Sequence, residues 1–99
     1  MPFVTAQPEL LTAAAGSLSG IGDSMSAGIS AAAAPTVGVS APAADMVSVV
    51  TAAQFAAHGQ VFQQVSAQAA AVHQQIVATL SGNSNLYALT EAANAASAG

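Results

Sequence analysis

The sequence predicts an all-α fold, an antiparallel two-helix hairpin followed by a short C-terminal tail. Apolar residues recur at alternating spacings of three and four along two long stretches, as in helices that bury one face. Clusters of proline, glycine and small polar residues separate those stretches. Hydrophobic residues make up 54% of the chain, yet only 4% are aromatic and 4% charged. The apolar content is therefore mainly Ala and Val, which bury little area each and stabilise a core weakly at about 25 cal/mol per Å².

The first helix is predicted from Pro8 to about Ala34. Pro8 suits the first helical turn, where its missing N–H would be unpaired in any case. Glu9 places a carboxylate near the positive end of the helix dipole. Leu11, Ala14, Leu18, Ile21, Met25, Gly28 and Ala32 form a heptad-like stripe. Gly16, Gly20, Gly22 and Gly28 each cost about 1 kcal/mol relative to Ala in a helix interior, so this helix is a poor candidate to stand alone. Gly16-Ser17-Leu18-Ser19-Gly20 matches the small-xxx-small packing pattern, a weak signal in so Ala/Gly/Ser-rich a chain.

The segment Pro35–Pro42, with two prolines and a glycine, is predicted to break the chain between helices. Asp45 is a good N-cap for a second helix running to about Leu80. Phe55, Phe62, Val65, Ala69, Val72, Ile76 and Leu80 make one apolar stripe, and Met46, Val50, Ala53, Ala57 and Val61 a second, offset one. One stripe is expected to face the first helix, which leaves the other without a partner. Ser81-Gly82-Asn83-Ser84-Asn85 reads as a turn, with glycine at a helix C-cap. The organisation expected is a hairpin over 1–80 and a tail over 81–99, with Leu86–Ser97 able to form a short helix.

A hairpin of two helices about 40 and 50 Å long has one internal interface and exposes the far side of both arms. Apolar patches beyond a few hundred Å² usually mark a binding surface. The hairpin is therefore expected to need a partner.

Composition excludes other functions. With no Lys or Arg and a formal net charge of −4, the chain cannot neutralise phosphates, so nucleic-acid binding is not expected, nor docking on anionic lipid through a basic face. There is no cysteine for thiol chemistry. The start of the chain has no positive region, and Gln7-Pro8-Glu9 interrupts any apolar run, so no secretory leader is predicted. The uncharged stretch from Met46 to Thr90 carries seven glutamines and both histidines, polar groups that are costly in hydrocarbon.

Catalysis finds no support either. His58 and His73 are fifteen residues apart, about 22 Å along one helix, too far to share a metal. None of Glu9, Asp23, Asp45 and Glu91 has the neighbouring base, nucleophile or second acid that acid–base chemistry requires. No catalytic residue, metal site or cofactor is assigned.

Several features taken together resemble one family. They are Pro8-Glu9, the Pro-containing link leading into Ala43-Ala44-Asp45-Met46-Val47-Ser48, the stretch Thr51-Ala52-Ala53-Gln54-Phe55, and Tyr87-x-x-x-Glu91 near the end. In this order and spacing they resemble the PE family of mycobacterial proteins over essentially the whole chain. The resemblance implies a helical hairpin that docks lengthwise on two helices of a PPE-family partner and completes a four-helix bundle. It also implies that Tyr87 and Glu91, with Glu in place of the commoner Asp, act with a Trp-x-Gly turn of the partner as a type VII secretion signal. A secretion chaperone would contact this chain only indirectly, through the PPE partner. The resemblance further implies secretion, or residence at the cell envelope or surface, after cytosolic assembly.

The expected function is thus a non-enzymatic subunit of an obligate heterodimer. Its bundle-packing residues are expected to be Leu11, Leu18, Ile21, Met25, Phe55, Phe62, Val65, Val72 and Ile76, and periodicity does not divide them between partner and opposite arm. Two other classes compete: a membrane-active or channel-forming envelope component, and a self-associating structural helical protein.

Overall fold

A computed structural model describes residues 5–99. Two helices pack as a hairpin, α1 over Pro8–Val37 and α2 over Met46–Ala98, with no strand among the described residues. α1 starts where the chemistry of Pro8 and Glu9 places it. It runs three residues beyond the expected end, taking Pro35 into its last turn. A proline there forfeits only one helical hydrogen bond. Beside it, the Thr36 hydroxyl donates to the Ala32 carbonyl at 2.6 Å, with the Ala33 carbonyl farther off at 3.2 Å.

Asp45 caps α2 as expected. The Ser48 N–H donates to Asp45 Oδ1 at 2.9 Å, and the Ser48 hydroxyl donates to Oδ2 at 2.8 Å. These two bonds hold the exposed Asp45 carboxyl below the ordinary carboxylate pKa of 3.8.

The turn expected at Ser81–Asn85 does not form. α2 passes through it and is helical to Ala98, so residues 81–98 stay on the same helix. Turn residues hold only a weak local preference, and here one of them is tied to α1: Ser84 is only 3% exposed and bonded to the carbonyl of Pro8.

The chain divides into two compact units. One joins the chain up to Gly22 to His73–Gly99, and the other is Asp23–Val72. In both, the interior is slight. Ala15, at 2% exposure, and Ala52, at 8%, are the buried hydrophobic residues among those described, and no large side chain is fully buried. The chain exposes 7242 Å² for a mass of 9.5 kDa. A compact monomer of that mass exposes about 5,000 Å².

Candidate partner-binding face

The hairpin closes along a line of mostly small residues of α2, and of its two apolar stripes only Leu80 falls on that line. In the Asp23–Val72 unit, the covered positions of α2 beyond its capped first turn are Ala52, Ala56, Gly59, Gln63, Ser66 and Ala70. In the other unit they include His73, Val77, Leu80 and Ser84. All ten fall on one seven-residue repeat, alternating steps of four and three, which is the seam of a coiled-coil pair.

Close approach makes this seam work. At Gly59 an added Cβ would sit 2.7 Å from the Thr36 carbonyl oxygen, so only glycine allows α1 backbone to lie against it. At Gly22 an added Cβ would meet the His73 ring at 2.7 Å. That ring packs against α1, and its Nε2–H donates to the Leu18 carbonyl at 2.6 Å. The donor must be the histidine, since a carbonyl only accepts. In the Asp23–Val72 unit, Gln63 Nε2 donates to the Ile29 carbonyl at 3.5 Å.

A hydroxyl cluster closes the other unit. Ser84 Oγ lies 2.6 Å from the Pro8 carbonyl and 2.7 Å from Thr12 Oγ1. Each hydroxyl has one proton. Ser84 therefore donates to Pro8, and Thr12 to Ser84, with a longer Thr12–Pro8 approach of 3.3 Å beside them.

The small seam pushes the bulky residues outward. Of the nine residues expected to pack a bundle, Leu11 and Leu18 are half-buried, and the other seven are exposed within the chain: Ile21, Met25, Phe55, Phe62, Val65, Val72 and Ile76. Phe55 is 61% exposed and Phe62 48%. They stand one heptad apart, on the same flank of α2. Between them, in the Asp23–Val72 unit, an open groove of about 400 Å³ is lined by Pro35, Thr36, Val39, Phe55, His58, Gly59 and Phe62. The expectation that one of the two stripes faces α1 is corrected here. Phe55, Phe62, Val65, Ala69, Val72 and Ile76 of the first stripe stand exposed and only Leu80 is covered, and all of Met46, Val50, Ala53, Ala57 and Val61 of the second are exposed. Arms lying close together favour residues without bulk. Sequence reasoning missed Gly59, His73 and Ser84 because hydrophobic periodicity weights bulk.

Tyr87 and Glu91 lie on α2, four residues apart and therefore on one face, and both are exposed. No helix among the described residues is long and apolar enough to cross a membrane.

A family model described as the PE family matches residues 4–94. The chain belongs to the PE family. It is 58% identical to PE family protein PE13 of Mycobacterium tuberculosis, in an alignment spanning 99% of each chain. It is 52% identical to the PE-PGRS family protein PE_PGRS8 of the same organism, over 98% of this chain and 55% of that one. A ubiquitin-binding protein of M. tuberculosis is also 52% identical, over 95% of this chain but only 25% of its own length. The PE chain thus spans nearly all of one relative and only the shared part of others. Pro8 and Glu9, which carry part of the resemblance, start α1, and the Pro8 carbonyl receives the Ser84 hydroxyl.

Proposed function

We propose that this PE protein is a non-enzymatic subunit of an obligate heterodimer with a PPE-family protein, exported with that partner by a type VII secretion system. The observation that carries the reading is the pairing of an almost empty interior with an exposed apolar flank. Only alanines are buried among the hydrophobic residues described, while Ile21, Met25, Phe55, Phe62, Val65, Val72 and Ile76 stand in solvent. The surface in excess of a compact monomer, roughly 2,000 Å², is of the order that one side of an obligate interface covers. Two helices whose large apolar residues are left exposed can supply half of a four-helix bundle. In this reading the seven exposed residues face the partner, and Leu11 and Leu18 serve both the hairpin and the bundle.

Tyr87 and Glu91 supply the export signal, and the exported complex resides outside the cell or at its envelope. Any chaperone would act through the PPE partner.

Co-expression with candidate PPE proteins tests the heterodimer. The cognate one should render the PE chain soluble and co-purify with it in equal amounts. Phe62→Asp and Leu18→Asp should abolish that complex, because each would bury an unpaired charge. Recovery of either variant in complex at normal yield would contradict the assignment. Tyr87→Ala and Glu91→Ala should leave the complex assembled but retained in the cytosol, and normal export of both would remove their role.

A further inference from the structure

The seam of the hairpin continues past the point where α1 stops. In the unit containing both chain ends, α2 is covered at His73, Val77, Leu80 and Ser84, at steps of four, three and four, and His73 and Ser84 bond α1. The next steps of the same repeat are three and four, and they fall on Tyr87 and Glu91. Ser84 is the last covered position of α2, because the residue it binds, Pro8, is the first residue of α1. Every residue from Asn85 onward is exposed, and Tyr87 is 51% exposed. Among the described residues, Tyr87 and Glu91 are thus the first two seam positions that lie beyond the end of α1.

We infer that the hydroxyl cluster of Ser84, Thr12 and the Pro8 carbonyl is a positioning element for the tail motif. It fixes where α1 ends against α2, and the phase of α2 then sets the direction in which Tyr87 and Glu91 point. The inference rests on the reading of those two residues as the export signal. It adds that four-residue spacing alone is insufficient: the pair must lie in phase with the hairpin seam. The partner is fixed to the hairpin, so a motif rotated about α2 faces a different part of the complex. Ser84 and Thr12 act through placement and need not touch whatever reads the motif.

A phase shift tests this in the co-expressed complex. One alanine inserted between Asn85 and Leu86 leaves the hydroxyl cluster and the Tyr-x-x-x-Glu spacing intact, and rotates the motif by about 100° relative to the seam. One alanine inserted after Glu91 lengthens the chain equally and leaves the phase unchanged. Both variants should form the complex at normal yield. The first should be lost from the culture filtrate, and the second should be exported like the unaltered protein. Ser84→Ala combined with Thr12→Val should lower export while sparing the complex. Normal export of the Asn85–Leu86 insertion, in a strain where Tyr87→Ala blocks export, would overturn the phase requirement and leave the motif reading standing. Normal export of Tyr87→Ala and Glu91→Ala as well would overturn both.

Discussion

At the scale of single residues, the determining chemistry is close approach and the capping of loose ends. Gly59 lies against the Thr36 carbonyl, so Gly59→Ala should destabilise the hairpin by roughly 1–3 kcal/mol, the usual range for overpacking. Gly16 has nothing within 4 Å of an added Cβ, and Gly16→Ala should raise α1 stability by about 1 kcal/mol through helix propensity. Urea unfolding of the PE–partner complex measures both, and equal effects at the two positions would contradict the seam. Asp45 offers a pH prediction of fixed sign. Its folded pKa is lowered by the Ser48 bonds, so its stabilising contribution is fully present above the unfolded carboxylate value. That contribution fades as pH falls through the lowered one. Asp45→Asn, which keeps an amide oxygen at the cap, should flatten that acid limb in thermal melts. The cap was legible in the sequence because Asx capping is local. The glycine contact was not, because nothing near Gly59 in sequence announces Thr36.

Among the elements, both helices and the link between them follow from Pro8, Pro42 and Asp45, and their lengths do not. α1 accommodates Pro35 because a last-turn proline costs so little. α2 overrides a five-residue run of turn formers because a helix already packed to Ser84 continues more easily than it stops. Gly82 is then a plain helix-interior glycine with open space around it. Gly82→Ala should stabilise α2 by about 1 kcal/mol, and Gly82→Pro should break it, at a cost of about 3 kcal/mol or more. Helix content by circular dichroism and amide exchange over residues 81–98 report both. Slow exchange over those residues in the unaltered complex is expected, and fast exchange confined to 81–85 would restore the turn. The apolar stripes were visible as periodicity, but their direction was not, since a hydrophobic pattern marks which residues avoid water and is silent on what covers them. Ala52, Ala56, Gly59 and Ser66 carry almost no such signal, and the arms meet over them.

For the molecule as a whole, what governs behaviour is the imbalance between a seam of small residues and a flank of large ones. An interior holding Ala15 and Ala52 supplies little against the conformational entropy of ordering about a hundred residues. The half-exposed aromatics and branched aliphatics on the outside represent most of the stabilisation the sequence can offer. Under the proposed function, that stabilisation is realised when the partner covers them. In the proposed heterodimer, pairing would couple folding to assembly, and the apparent stability would depend on partner concentration. The most direct measurement is light scattering and urea unfolding of the PE chain by itself at micromolar concentration in dilute buffer. The coupling of folding to assembly predicts aggregates or a poorly ordered chain that gains a cooperative transition only on adding the partner. A monodisperse monomer with its own cooperative unfolding transition would contradict it.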